Sequence, residues 1–160
     1  MIRYGDVLPA NYPSVAAMEL AGKEIADKTG GRYELQLFPS SQLGAQREMI
    51  EQLTSGALHL YADGAAAFSP WVEGVSVLEA PYIWRDAAHM VKGMASPDGQ
   101  ALVTALVKNR GIRILDTIYY GTRHLPTASK AVHHPRDMSG FKLRVPPVYV
   151  YNAMAQSLGA

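Results

Sequence analysis

The chain has 160 residues, of which 48% are hydrophobic and 18% are charged, and its formal net charge at neutral pH is +1. This length and composition are typical of a globular protein with a core, rather than of a disordered or membrane-embedded one. The charges are balanced and unclustered, which argues against a nucleic-acid surface, and the lack of cysteine excludes disulfides, thiolate catalysis and cysteine-ligated zinc.

The N-terminal sequence bears on the compartment. Its first residues, MIRYGDVLPAN, lack the long apolar stretch of a signal peptide. No apolar run elsewhere approaches the roughly 20 residues that a membrane span requires. The sequence therefore predicts either a cytoplasmic protein or one whose signal peptide has been removed, in which case Met1 is not native.

Strands and helices are predicted to alternate through the first 63 residues. The segment 32–38 alternates cleanly between apolar and polar residues, and the helices show apolar positions on one face, with Ser14 as the expected N-cap of the first helix. The predicted strands are 2–8, 32–38 and 57–63, and the predicted helices are 14–28 and 45–54. Connections of this length predict a parallel sheet with right-handed crossovers.

The remaining elements are less regular. Residues 64–86 have no helical period and predict a packed loop with short strand pieces, whose aromatic side chains belong to the core or, less favoured, line a ligand cleft. Two helices follow, the first capped by Asp86 and the second by Ser96. Further strands are predicted at 112–120 and 140–145, and a final helix at about 148–158.

No catalytic or metal-binding motif is present. His124, His133 and His134 lie near one another in the sequence, but they lack both the HExxH spacing and an acidic cluster, so surface histidines are favoured over a zinc site. The G-x-S-x-G elbow and the phosphate-binding loops are also missing. We therefore predict no catalytic residue, no metal and no cofactor.

Two arginines stand where strands are predicted to end. Arg144 closes GFKLRVPP, just before two prolines, and Arg123 follows the strand predicted at 112–120. A solvated arginine is the ordinary interpretation of each. The functional interpretation is a guanidinium that holds a carboxylate in a bidentate fork, a geometry that lysine cannot reproduce.

Several stretches together resemble one family, the DctP-type solute-binding proteins of tripartite (TRAP) transporters. The matching stretches are FPSSQLGAQREMIEQLTSGALHL, LEAPYIWRD, GIRILDTIYYGTRHLPTASKAVHHPRDMSGFKLRVP and VYVYNAMAQSLGA. The resemblance implies a periplasmic-binding-protein-like α/β fold, with a parallel-rich sheet and helices on both faces, and a ligand held in the cleft between two domains.

The resemblance also implies site residues. The family's carboxylate-binding arginine falls on Arg144 and a second cleft arginine on Arg123, while the ligand-facing loop of the first domain falls on Gly64 and Ala65. Some members have a side-chain contact where this chain has Gly64, and some have a polar residue where it has Pro147. The departure at Gly64 leaves the contacts to the far end of the ligand open.

Family members are about twice as long, so the resemblance implies a first lobe at 1–120, an incomplete second lobe at 121–160, and a truncated second domain. We expect such a fragment to expose apolar surface and to self-associate. The implied function is capture of an organic acid anion in the periplasm for a TRAP membrane permease, without contact with nucleic acid. The alternatives are a ligand sensor of the same fold for a signalling partner and, less favoured, an α/β enzyme using the histidines.

Overall fold

The computed structural model describes residues 1–128 and 130–160. These form two compact units, one made of residues 1–67 and 110–112, the other of residues 68–109 and 113–160. The lobe boundary expected between residues 120 and 121 stays a prediction. No helix among the described residues is long and apolar enough to cross a membrane.

The first unit is built on a three-stranded parallel sheet. Its elements in chain order are β1 (Ile2–Asp6), α1 (Pro13–Thr29), β2 (Leu35–Phe38), α2 (Gln46–Ser55) and β3 (Leu60–Ala62). The strand order is β2-β1-β3. Successive right-handed crossovers run in opposite directions along this sheet, so α1 and α2 cover opposite faces. The predicted α/β fold is confirmed.

The central strand is β1, which pairs with both neighbours. Tyr4 stands opposite Leu37 on one side and opposite Leu60 on the other. Gly5 lies next to it, and a Cβ at this position would come within 3.0 Å of the Met49 sulfur and 3.1 Å of a Leu58 methyl group. The missing side chain therefore lets α2 and the segment after it pack directly on the strand.

Helix α1 starts one residue earlier than predicted. Its N-cap is Tyr12, so the prediction of Ser14 as N-cap is wrong. The physical reason is Pro13, whose fixed backbone angle and missing N–H suit the first position of a helix. Ser14 consequently lies inside the first turn, where its buried hydroxyl has no hydrogen-bond partner among the described residues.

The part of the chain after residue 67 contains three longer helices, α3 (Ala87–Met94), α4 (Pro97–Arg110) and α5 (Tyr149–Ser157). Asp86 caps α3 by accepting a hydrogen bond from the backbone of His89 at 2.7 Å. The Ser96 hydroxyl accepts one from the backbone of Gly99 at 3.2 Å, in the first turn of α4. Both caps confirm the sequence-based prediction, because short polar side chains satisfy the free N–H groups there.

Three strand predictions are wrong. Residues 64–86 contain 3-10 turns at Ala65–Phe68 and Val75–Glu79 instead of strand pieces. The segments 112–120 and 140–145 contain no strand, although the first is rich in β-branched and aromatic residues and the second alternates in polarity. Alternation predicts which residues can face a core, but a strand also needs a neighbouring backbone to pair with. Within the described residues, neither segment has such a neighbour.

Candidate ligand-binding site

The segment that carries Arg144 follows a 3-10 turn at Pro135–Met138. The Asp137 carboxylate accepts hydrogen bonds from the backbone N–H groups of His133 at 3.0 Å and His134 at 2.9 Å, and these bonds hold the pKa of Asp137 below its ordinary value. Met138 is buried and anchors the turn. The turn therefore fixes the backbone at the start of the segment that carries Arg144.

Arg144 itself projects from this segment. Its side chain is exposed, and in the part of the chain that the structure describes its guanidinium has no hydrogen-bond or ion-pair partner. A guanidinium presents N–H donors in a planar fork that matches a carboxylate. Arg144 thus keeps this fork available for a ligand.

Arg123 is placed differently. Its guanidinium carbon lies 5.0 Å from the ring centroid of Tyr151, on α5. The Tyr151 side chain is only 5% exposed, and its hydroxyl donates a hydrogen bond to the carboxylate of Glu79. Burial, followed by the bond to Glu79 and the charge of Glu79, raises the pKa of Tyr151 to about 12. The structure therefore joins Arg123 to two residues that were not predicted as site residues.

Gly64 and Ala65 follow β3 in the first unit. The preceding Asp63 accepts hydrogen bonds from the backbone of Gly64 at 2.7 Å and from the Gln46 side-chain amide at 2.5 Å, and it also accepts one from the Tyr61 hydroxyl. Burial, with the charge of Asp63, raises the pKa of Tyr61. Gly64 is exposed at the start of this loop, and Asp63 fixes its backbone.

A second carboxylate ends β1. Asp6 is fully buried, and its oxygens accept a hydrogen bond of 2.5 Å from the Tyr4 hydroxyl and one of 2.8 Å from the backbone of Leu8. Burial, followed by the bond to Asp6, raises the pKa of the Tyr4 hydroxyl. The backbone carbonyl of Asp6 also accepts from Ser41 at 3.0 Å, which ties the β2–α2 loop to the end of β1.

Four residues described above were not predicted as site residues, and the sequence carries a signal for only two of them. Asp63 ends one predicted parallel strand and Asp6 lies near the end of another. Ligands of open α/β sheets bind at the carboxyl ends of strands, so this rule could have identified them. Glu79 and Tyr151 lie 72 residues apart, and no local pattern joins them. The contact that places Arg123 was therefore beyond a sequence-based prediction.

The structure also places the histidines and the aromatic loop. His124, His133 and His134 are exposed, and the described residues contain no group of three potential ligands that could hold a metal ion. Within the aromatic loop the predicted core holds for Phe68, which is buried, but Tyr82 is fully exposed.

Comparison with known proteins shows which family this chain belongs to. Residues 4–160 match the DctP family, described as bacterial extracellular solute-binding protein, family 7. The chain belongs to this family. A solute-binding protein from Verminephrobacter eiseniae is 32% identical over 143 residues, a match that covers 89% of this chain and 42% of the relative.

Solved structures agree with this assignment to the DctP family. The TRAP periplasmic solute-binding protein of Chromohalobacter salexigens, with bound D-glucuronate, superposes with a TM-score of 0.92 at 31% identity, covering 99% of this chain and 52% of that one. The corresponding protein of Sulfurospirillum deleyianum, with bound succinate, has a TM-score of 0.92 at 28% identity and covers 99% and 51%. The chain thus spans about half the length of the relatives it matches.

Proposed function

We propose that this DctP-family chain takes part in capturing an organic acid anion for a TRAP transporter. The observation that carries the proposal is the exposed guanidinium of Arg144, which has no partner among the described residues of a chain that belongs to a solute-binding family. The glucuronate-bound and succinate-bound neighbours support a carboxylate ligand, because both molecules carry that group.

In this proposal Arg144 is the main anchor and binds the ligand carboxylate through a bidentate pair of charge-assisted hydrogen bonds. Such a pair discriminates strongly against molecules without the anion, because the guanidinium would otherwise be left without a partner. Arg123 supplies the second cation. Gly64 and Ala65 face the ligand through their backbone, and the absent side chain at Gly64 leaves room for a ligand substituent.

The proposal includes no chemical step. The protein would capture the anion in the periplasm and deliver it to the membrane permease of the transporter, and binding alone would be its activity. The family description as an extracellular solute-binding protein supports this location and this role. We infer that the protein is not an enzyme.

The test uses the full-length protein and three small molecules. D-glucuronate and succinate are the anionic probes, and D-glucose is the control for glucuronate, because it has a hydroxymethyl group in place of the carboxylate. A ligand that binds only the native state raises the melting temperature. We expect an increase with at least one acid and none with glucose.

Two results would count against the proposal. Failure of both acids to raise the melting temperature, followed by failure of a wider set of organic acids, would remove the proposed ligand class. An equal increase with glucose and glucuronate would show that the carboxylate is not what the protein recognises. Ligand consumption during incubation would contradict the inference that the protein is not an enzyme.

A further inference from the structure

Tyr151 is the buried side chain that connects Arg123 to the rest of its unit. It lies on α5 and reaches the 3-10 turn at Val75–Glu79, where its hydroxyl donates to the carboxylate of Glu79. The ring is thus fixed at two points, by burial in the unit and by the bond at its polar end. Tyr149 on the same helix is 79% exposed, so burial distinguishes Tyr151 from its neighbour on α5.

The ring of Tyr151 offers Arg123 a fixed surface. The guanidinium carbon is 5.0 Å from the ring centroid, within the range of a cation–π contact. Arg123 lies in a stretch without regular secondary structure, and its neighbours Thr122 and His124 are exposed. Backbone hydrogen bonding of a helix or strand therefore does not hold this arginine, whereas the tyrosine ring does.

A contact with the face of a ring does not itself occupy the donors of the arginine. The attraction acts between the cation and the π-electrons, so the five N–H groups of the guanidinium are not consumed by it. An ion pair with a carboxylate would instead occupy the fork that a ligand needs. Tyr151 meets Glu79 through its hydroxyl and Arg123 through its ring, and the charge of Arg123 and a hydrogen bond with it act to lower the pKa of Tyr151. A guanidinium has five N–H donors, so Tyr151 restrains the arginine and leaves donors for a ligand.

The hydroxyl of Tyr151 stays protonated at neutral pH. Burial and the bond to Glu79 raise its pKa to about 12. A protonated hydroxyl can donate to Glu79 under physiological conditions, so the anchor of the ring is present whenever a ligand would be captured.

We infer that Tyr151, held by Glu79, is a positioning residue that orients Arg123 for the carboxylate of the ligand. This inference rests on the proposed function, because it needs a bound carboxylate. It adds that the affinity for the acid depends on an aromatic ring at position 151, which does not itself have to touch the ligand. The immobilised guanidinium loses less conformational freedom on binding than a free one, which favours the complex.

The experiment compares variants of the full-length protein by calorimetry with D-glucuronate, or with succinate if only that acid binds. We expect Tyr151→Leu to weaken binding about fivefold to thirtyfold, whereas Tyr151→Phe, which keeps the ring, should weaken it less than about threefold. Tyr149→Leu is the matched control, because it removes an exposed tyrosine from the same helix. We expect no change in affinity from that control.

A double-mutant cycle separates positioning from a general loss of structure. If Tyr151 acts through Arg123, Tyr151→Leu should change the affinity less than about twofold once Arg123→Ala is present. Thermal denaturation of each variant identifies a temperature at which all of them are folded, and affinities are compared there. The rescue by phenylalanine is a readout that a mere loss of stability would not produce.

The outcomes distinguish this inference from the proposed function. Acid binding by the wild type with equal affinities for wild type and Tyr151→Leu would overturn the role of Tyr151 and leave the proposed function intact. Equal losses in the presence and absence of Arg123 would also overturn it. Failure of the wild type to bind any acid would overturn both.

Discussion

Buried carboxylates decide much of the local structure at the carboxyl edge of the sheet. Asp6 has no exposed surface, and it accepts hydrogen bonds from the Tyr4 hydroxyl and the Leu8 backbone. A buried carboxylate is tolerated only when hydrogen bonds replace its hydration, so these two donors are required for the stability of this strand end.

This requirement predicts the effect of Asp6→Asn. The asparagine has the same shape, but its NH₂ group would face one of the two donors, and one buried donor would lose its acceptor. We expect the free energy of unfolding to fall by about 1–3 kcal/mol in urea denaturation. Asp27→Asn, at an exposed position on α1, is the control. If both substitutions had the same small effect, the buried hydrogen bonds of Asp6 would not be stabilising.

The pKa of Tyr151 gives a prediction about alkaline stability. Its folded-state value of about 12 lies above the ordinary 10.0, so the folded state favours the protonated form. The resulting stability is fully present below pH 10 and is lost as the pH rises from about 10 to about 12. Over this range, the free energy of unfolding should therefore fall more steeply for the wild type than for Tyr151→Phe. Parallel curves for the two proteins would contradict the raised pKa. Tyr4 and Tyr61 are present in both proteins and cancel in the comparison.

At the scale of elements, the close junction between α3 and α4 depends on Gly99. A Cβ at this position would lie 2.5 Å from the carbonyl oxygen of Gly93 and 2.6 Å from that of Met94. Both atoms belong to the backbone, so they cannot move aside as the end of a side chain can. The absence of a side chain at Gly99 therefore permits the turn between the two helices.

Gly99→Ala tests this reason. Alanine favours a helix by about 1 kcal/mol over glycine, so an open position would become more stable. Here we expect a net loss of about 1–3 kcal/mol in the free energy of unfolding, because the clash outweighs the helix propensity. Lys108→Ala, at an exposed position of α4, should change stability by less than about 0.5 kcal/mol. Stabilisation by Gly99→Ala would show that the backbone around it adjusts easily.

The helices and strands also show which parts of the fold could be predicted from the sequence. Helices α3, α4 and α5 and the parallel strands of the first unit were predicted, because caps, apolar periodicity and glycine stops are local signals. The segment 112–120 was predicted as a strand and is not one, because pairing depends on a distant backbone that the local sequence does not identify. Of the candidate site, Arg123 and Arg144 were predicted, whereas the ring and carboxylate that position Arg123 come from tertiary packing.

At the scale of the whole molecule, the segment 112–120 leaves apolar side chains in solvent. Leu115 is 74% exposed and Ile118 is 62% exposed. A segment outside helices and strands with exposed apolar residues is prone to association. The predicted self-association of residues 1–160 therefore has a specific location.

Sedimentation equilibrium of residues 1–160 checks this location. We expect concentration-dependent dimers or larger species, and we expect Leu115→Glu combined with Ile118→Lys to shift the population toward monomer. Leu20→Lys replaces a leucine of the first unit that is 67% exposed, and it should have no effect. A wild type that stays monomeric at all concentrations, or a response to Leu20→Lys instead, would contradict the prediction.

The central claim is that Arg144 anchors the carboxylate of an organic acid, and calorimetry of the full-length wild type and Arg144→Lys with the same acid tests it most directly. Removing a charge-assisted partner from a desolvated site typically costs about 2–5 kcal/mol, so we predict binding roughly 30-fold to several-thousand-fold weaker. The melting temperature of the empty protein should barely change, since Arg144 has no partner among the described residues. Arg113→Lys, another exposed arginine of the same unit, should bind like the wild type. Equal affinities of wild type and Arg144→Lys would contradict the account and make Arg144 an ordinary surface arginine.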